Sequence, residues 1–216
     1  MIKDYKRLIL HLICLAPSLW LFHQMWLWFN FAPHSLTANP IEYITDFTGD
    51  WTVRFLLISL SITPLAKIFK LRILKYRRAI GLYAFYYGLL HFLNYMVLDY
   101  FFDWSLILED IFKRPALTFG MLGFTLLIPL AITSTKSLIK KMGRNWTKLH
   151  RLVYVLTIFA VIHNYMMVKA DVLIPLIHAT ILIVLLGYRV YALKNKRLKR
   201  SKKQLSGDNK HEAIYP

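Results

Sequence analysis

Cysteine is almost absent from this sequence of 216 residues, in which Cys14 is the only one. A single thiol excludes a disulfide framework, and it excludes an iron–sulfur cluster, which takes about four thiolates. It also excludes covalent cofactor attachment through a C-x-x-C-H motif. The glycine-rich motif G-x-G-x-x-G, typical of nicotinamide and flavin domains, does not occur either.

Acidic residues are also scarce, with 11 Asp and Glu against 28 Lys and Arg, and the formal net charge is +17. Hydrophobic residues make up 57% of the chain and aromatic residues 15%. This composition is typical of a membrane protein, because soluble domains contain fewer apolar residues. A net charge of +17 would suggest a nucleic-acid partner, but the distribution of the charge along the chain argues against one.

The apolar residues fall into six segments of about 20 residues, the length that crosses a hydrocarbon core as a helix. We therefore predict an all-α integral membrane protein built as a bundle of six transmembrane helices. The predicted spans are 8–29, 51–69, 79–98, 115–133, 149–168 and 172–192.

Charged residues alternate in sign between the connectors. Basic residues gather before the first span, in the second and fourth connectors and after the sixth span, whereas acidic residues gather in the other connectors. Because cytoplasmic loops collect Lys and Arg, both termini are predicted to be cytoplasmic. Orientation and affinity for anionic membrane lipid then explain the basic excess without nucleic acid. We predict a transmembrane domain over residues 1–195 and a basic, polar, partly disordered cytoplasmic tail over 196–216.

Six of the eight histidines fall inside the predicted spans. Ionisable side chains are costly at membrane depth and mark functional sites by default. Hydrogen bonding to a neighbouring helix is the ordinary alternative for each one. These six are His11, His23, His91, His150, His163 and His178.

Depth in the membrane separates one pair from the others. His91 lies about 18 Å along the third span and His163 about 19 Å along the fifth, and both spans enter from the cytoplasmic side. Two imidazoles that face each other across a helical bundle are the axial ligands that a haem iron takes from a protein. Since no cysteine pair can tether it, such a haem is b-type. Gly88, one turn before His91, either admits the macrocycle or serves close helix packing.

His150 lies at the inner edge of the fifth span and is a candidate ligand of a second haem about 20 Å from the first. Its partner ligand stays open, because His11 has the right depth but lies on the first span, and Arg78 stands where the third span would need a histidine. On an ideal helix, thirteen residues place His150 and His163 about 140° apart. Serving one stack of haems would need a kink, a π-bulge or approach from different sides.

Several local strings resemble the ferric reductase-like transmembrane family, and most closely its MsrQ (YedZ) branch. The resemblance runs in order and spacing from about residue 5 to 195. It implies haem b and FMN as cofactors, with His91, His150 and His163 as the histidines that bind the haem iron. The strings are FTGDW at 47–51, SITPLAK at 61–67, RRAIGLYAFYYGLLH at 77–91, RPALTFGMLG at 114–123 and TSTKSLIKKMGRNWTKLHRLVYV at 133–155.

The same resemblance implies a function in the bacterial inner membrane. Members of this branch are non-catalytic subunits that pass electrons from the quinone pool to MsrP, a periplasmic molybdopterin enzyme that reduces methionine sulfoxide in oxidised envelope proteins. Because the chain has no nicotinamide motif, we expect its electrons to come from quinol or from a separate flavin reductase. The basic cytoplasmic connectors are plausible anchors for the phosphate of FMN.

The outer segment from Asp99 to Asp110 is the longest candidate docking surface for the periplasmic partner, and ordinary solvation is the alternative role of its acids. Two other functions stay open at this point. One is a standalone haem metalloreductase. The other is a transporter or assembly factor that uses its buried histidines for metal ions or protons.

Overall fold

The computed structural model describes residues 2–168 and 171–212, and within these ranges the chain is helical and contains no strand. The helices are connected by short segments. Their bounds are α1 Ile2–Phe29, α2 Pro40–Ile68, α3 Arg77–Asn94, α4 Trp104–Lys113, α5 Pro115–Ile132, α6 Lys136–Met142, α7 Arg144–Leu149, α8 Leu152–Met167 and α9 Leu173–Glu212.

Five helical segments in the described part of the chain are long and apolar enough to cross a membrane. They correspond to five of the six predicted spans, and the chain is therefore a multi-pass membrane protein. Helix α3, which carries most of the predicted third span, is not among them. The five are Tyr5–Phe29, Pro40–Ile68, Pro115–Ile132, Arg144–Met167 and Leu173–Leu198.

Helix α3 is less apolar than the other long helices because it starts at Arg77 and Arg78 and carries His91 and Asn94. It packs along α2 and also contacts α5, so several of its side chains face protein rather than lipid. A helix in such a position does not need a fully apolar surface. The sixth span and the cytoplasmic position of both termini stay predictions.

Helix α2 begins eleven residues before the predicted second span. Asn39 caps the helix by accepting a hydrogen bond from the backbone N–H of Glu42, and Pro40 occupies the first turn, where its missing N–H costs nothing. The predicted start at residue 51 was wrong because acidic residues make this part of the helix too polar for a hydropathy window. The extra turns carry Gly49 and Asp50 into the bundle.

Two helix pairs form the centre of the bundle: α2 packs mainly on α3, and α5 mainly on α8. Between membrane helices, close approach stabilises more than apolar burial does, and small residues permit it. Ala84 is fully buried, and a side chain at Gly123 would meet Leu156 and Phe159 of α8.

A buried tyrosine fastens α1 to this centre. Pro17 lies inside α1, where proline disturbs the backbone hydrogen bonds of the preceding turn. The hydroxyl of Tyr87 donates to the carbonyl of Cys14 at 2.9 Å and accepts from the backbone N–H of Ser18 at 3.0 Å. The hydroxyl thus stands between the Cys14 carbonyl and the Ser18 N–H and gives each a hydrogen-bond partner. Backbone polar groups need such partners in a membrane, where water is absent.

The chain is interrupted where the predicted fifth span begins. Helix α7 ends at Leu149 and α8 starts at Leu152, so His150 and Arg151 form a turn between them. Both residues keep α-helical backbone angles, and Arg151 and Tyr154 donate their backbone N–H groups to carbonyls three residues earlier, so the turn is a short tightening of the helix. It is neither a kink at a proline nor a π-bulge, and the question of how His150 and His163 would serve one stack stays open.

Helix α9 continues as a helix through Glu212, so the predicted boundary at residue 195 falls inside it. Residues 213–216 of the predicted tail lie outside the described residues. The division into a transmembrane domain and a separate tail stays a prediction.

Candidate functional site

His91 of α3 and His163 of α8 face each other in the bundle. Their ring centroids are 5.9 Å apart, and the ring planes are inclined by 73°. The sequence places both histidines at a similar depth, and the structure brings them together.

His91 is held by helix α2. Its Nδ1 lies 2.9 Å from the backbone carbonyl oxygen of Thr45, and its ring lies directly against Gly49. A Cβ atom on Gly49 would stand only 3.0 Å from Cε1 and 3.1 Å from Nδ1 of the ring. Any side chain at position 49 would therefore press on the imidazole.

His163 is held by helix α5 in the same way. Its Nδ1 lies 2.7 Å from the carbonyl oxygen of Ala116, and a Cβ atom on Gly120 would stand 2.9 Å from its ring. In both cases the glycine follows the accepting carbonyl by four residues, one helical turn. The same local device therefore fixes each imidazole from a neighbouring helix.

These hydrogen bonds determine the tautomer of both rings. A carbonyl oxygen only accepts, so Nδ1 of His91 and of His163 must carry the proton and Nε2 keeps its lone pair. Histidines that bind metals usually donate their other ring N–H to such a partner. Within the described part of the chain, neither Nε2 takes part in a hydrogen bond.

The spacing of the two rings would suit an iron ion held between their Nε2 atoms. Two metal–imidazole bonds of about 2 Å each place the two Nε2 atoms about 4 Å apart. Ring centroids 5.9 Å apart are compatible with that spacing. Among the described residues no group of three or more His, Cys, Asp or Glu side chains is arranged to hold a metal ion.

His150 lies apart from this pair, at the turn between α7 and α8. Its ring stacks on Trp146 with centroids 3.9 Å apart, and its Nδ1 lies 3.1 Å from the carbonyl oxygen of Trp146. Its Nε2 is 3.4 Å from the hydroxyl oxygen of Ser134. The three predicted histidines thus form one facing pair and one separate imidazole.

His150 lines a cavity of about 440 Å³ between α2, α3, α5 and the α7–α8 segment. Five leucines and Val153 line part of it, and Arg77, Arg78 and Arg151 also line it. Arg78 and His150 occupy equivalent positions, thirteen residues before His91 and His163. His150 is the one imidazole among the residues that line this cavity, so a second axial histidine is not present there.

The other histidines in the predicted spans have ordinary surroundings. Nδ1 of His11 lies 2.8 Å from the hydroxyl oxygen of Tyr83, and His11 does not line the cavity. His23 is exposed, and His178 is buried against Asn164. The structure therefore does not bring His11 to His150 as a second ligand. The side chain of His211 lies outside the described residues.

Glycine supports the site at two positions that sequence reasoning missed. Gly88, the predicted candidate, faces Leu127, Thr52 and Phe124, which is close helix packing. The glycines against the imidazoles are instead Gly49 and Gly120. A glycine inside an apolar helix lowers helix stability, so an isolated one often marks a close approach. That signal was available at Gly120, which lies inside the predicted fourth span, but not at Gly49, which precedes the predicted second span.

Several acids of the predicted docking segment serve its own structure. The carboxylate of Asp103 caps α4, and Glu109 pairs with Lys113. Burial alone raises the pKa of the Asp110 carboxyl, but hydrogen bonds from Arg114 and Tyr100 outweigh it and hold that pKa below its ordinary value. Hydrogen bonds and ion pairs within residues 99–114, which include the short helix α4, therefore stabilise this segment, and we call it the rim.

Residues 48–161 match the family model of the ferric reductase like transmembrane component. Three relatives are each named protein-methionine-sulfoxide reductase heme-binding subunit MsrQ. The relative from Caulobacter vibrioides is 46% identical over 182 residues, which cover 83% of this chain and 84% of the relative. That from Xanthomonas euvesicatoria is 42% identical over 184 residues (85% and 84%), and that from Herminiimonas arsenicoxydans is 46% identical over 170 residues (77% and 78%).

The chain belongs to the MsrQ family. The match to the ferric reductase like family model runs from residue 48 to 161. It includes Gly49, His91, Gly120 and His150 and ends two residues before His163. At one end of the bundle, a carbonyl oxygen and a glycine of a neighbouring helix hold each of the two imidazoles. At the other end, three arginines line a cavity.

Proposed function

We propose that this chain is the haem-binding, electron-carrying membrane subunit of a methionine sulfoxide reductase system in the bacterial inner membrane. The observation that carries the proposal is the facing pair of His91 and His163, with Nδ1 of each ring committed to a carbonyl. The shared name of the relatives supports both the cofactor and the reductase system.

In this proposal His91 and His163 would hold one b-type haem through their Nε2 atoms. When bound, the haem supplies one-electron oxidation and reduction. The carbonyls of Thr45 and Ala116 hold the imidazoles in the tautomer that binds iron, and they raise the basicity of the ligands. Gly49 and Gly120 leave room for both rings.

The inner cavity is the binding site on the donor side. Guanidinium groups bind phosphate strongly and with fixed geometry, so Arg77, Arg78 and Arg151 are suited to the phosphate of FMN. His150 serves this inner cofactor site rather than the outer haem, with Nδ1 of its ring bonded to the carbonyl of Trp146 and Nε2 in contact with the hydroxyl of Ser134. The electrons come from the quinone pool or from a flavin reductase.

Helix α3 completes a six-span topology with both termini in the cytoplasm. Together with the π-helical turn Tyr95–Asp99, it covers 23 residues from 77 to 99, enough to cross a core of about 30 Å. Arg77 and Arg78 begin it and Asp99 ends it, which follows the positive-inside rule. The outer rim then faces the periplasm, where an MsrP-like molybdopterin enzyme docks as the second subunit.

The test is a reduced-minus-oxidised visible spectrum of the purified protein, with haem counted per chain. A b-type spectrum with about one haem per chain is the expected result, since the pair offers two axial ligands and the cavity only one. Protein that stays colourless after expression with ample haem would contradict the proposal and favour a role of the buried histidines in binding protons or metal ions.

A further inference from the structure

A second polar network lies beside the histidine pair and joins three helices. Asn164 of α8 donates from Nδ2 to Oδ1 of Asp50 at 3.2 Å, and its Oδ1 lies 3.2 Å from Nδ1 of the buried His178 of α9. The other carboxylate oxygen, Oδ2 of Asp50, accepts from Arg54 at 3.1 Å. The four side chains form one connected chain of hydrogen bonds at membrane depth.

The carboxylate of Asp50 determines the direction of every bond in this network. An ionised carboxylate only accepts, so the amide of Asn164 must turn its NH₂ group toward Asp50. The carbonyl oxygen of Asn164 then faces His178, and Nδ1 of that ring must donate to it. Asp50 is therefore bonded on both of its oxygens and held in one position.

Asp50 is placed to act on the haem site. It follows Gly49, against which the His91 ring lies, and its partner Asn164 follows His163. The hydrogen bond from Asn164 therefore connects Asp50 to the helical turn that carries His163. Arg54 lies one turn further along α2, where its guanidinium covers the ring of Trp51 with Cζ 5.1 Å from the ring centroid.

Hydrogen bonding between α2, α8 and α9 is one structural role of this network, and the ion pair of Asp50 with Arg54 at 3.1 Å is another. A neutral amide at position 50 would accept from Asn164 equally well, so the link to α8 does not need the charge. Of the two partners of Asp50, only Arg54 depends on the charge.

We propose that Asp50 is a positioning and tuning residue that lowers the reduction potential of the haem held by His91 and His163. The inference rests on the proposed function. Ferric haem carries one more positive charge than ferrous haem, so a fixed negative charge beside the axial ligand stabilises the ferric form. Arg54 offsets part of this field, and Asn164 with His178 keeps the carboxylate in place.

The test is a spectroscopic redox titration of the holoprotein and its variants. Asp50→Asn removes the charge but keeps an acceptor for Asn164, and it is expected to change the one-electron equilibrium constant about tenfold, a rise in midpoint potential of about 59 mV. Arg54→Gln removes the opposing charge and is expected to lower the potential. Glu42→Gln is the matched control, because it removes an exposed acid from the same helix about 12 Å further out.

The outcomes separate this inference from the proposed function. An unchanged potential in Asp50→Asn, or shifts of the same sign in Asp50→Asn and Arg54→Gln, would overturn the tuning role while haem binding by the wild type still stood. If Asp50→Asn fails to retain haem, the sign of the Arg54→Gln shift decides, and a rise or no change overturns the inference. A wild type without haem would instead contradict the proposed function.

Discussion

The two ends of the bundle, which the proposed topology makes its outer and its inner end, are built from much the same helices, yet they offer a cofactor different chemistry. At the outer end, two imidazoles face each other at 5.9 Å, and each is fixed by a carbonyl and a glycine of a neighbouring helix. At the inner end, a single imidazole shares an apolar cavity of about 440 Å³ with three arginines.

The difference teaches how one pair of helices can carry two kinds of site. Position 91 and position 163 both hold histidine, whereas thirteen residues earlier the same two segments hold Arg78 and His150. An arginine cannot give up its proton to bind iron, but it binds phosphate well. The outer end is therefore suited to iron and the inner end to an anionic cofactor.

The largest expected effect comes from filling the space against the outer imidazoles. Gly120→Val places side-chain atoms where a Cβ alone would already lie 2.9 Å from the His163 ring. Because overpacking costs about 1–3 kcal/mol, we expect haem to bind about tenfold more weakly or to be lost. Gly49→Val should act on His91 in the same way, and haem content per chain measures both.

The control for the glycine variants is Gly187→Val in α9, where nothing lies within 4 Å of the added Cβ. This variant should keep its haem. If Gly120→Val and Gly187→Val lost haem equally, valine in a membrane helix would be the cause, and the specific contact with His163 would carry no weight.

A smaller effect is expected when the inner arginines are replaced. Arg77→Gln combined with Arg78→Gln should weaken FMN binding about tenfold for each of the two arginines that contacts the phosphate, since a hydrogen bond to a charged group contributes about 1.5–3 kcal/mol. The outer haem should stay. The measurement is FMN titration of the purified protein, followed by a haem count on the same sample.

Lys67→Gln combined with Lys70→Gln is the matched control, because both lysines are exposed in the same basic segment but do not line the cavity. An equal loss of FMN in both double variants would mean that these residues act through general charge or topology and not through contact with the cofactor.

The smallest effect concerns the outer rim. The pKa of Asp110 is held below its ordinary value by Arg114 and Tyr100, which outweigh burial. This carboxylate therefore stabilises the rim at pH values above the pKa of the unfolded chain, and the contribution is lost as pH falls through the lower folded pKa. Limited proteolysis of the rim should show this pH dependence in the wild type but not in Asp110→Asn. An identical pH dependence in both proteins would show that another group is responsible.

The histidine pair was predictable from sequence because depth along a helix follows directly from residue number. Each helix rises about 1.5 Å per residue, so two histidines near the same height on helices that run in the same direction are candidates to meet. The prediction needed only the positions at which the third and fifth spans start on the cytoplasmic side. The basic residues before each span indicate those positions. It did not need the packing of any side chain.

The contacts of Gly49 with His91 and of Gly120 with His163 were not predictable because each glycine lies on a different helix from its imidazole. Gly49 lies 42 residues before His91, and Gly120 lies 43 residues before His163. No local periodicity relates such positions. The start of α2 carried a visible signal, since Asn39 and Pro40 form a typical helix start, but the acids that follow concealed it in a reading based on hydropathy. The turn at His150 lies where the basic segment 144–151 passes into the apolar segment 152–161.

The most direct test of the account is a count of haem per chain, with the visible spectrum, in His91→Ala, His163→Ala and His150→Ala. We predict that the first two variants insert into the membrane but lose most of their haem, and that His150→Ala keeps about one haem per chain with the wild-type spectrum. Full haem with an unchanged spectrum in either of the first two variants, or loss of the haem in His150→Ala, would contradict the assignment of the outer pair as the haem site.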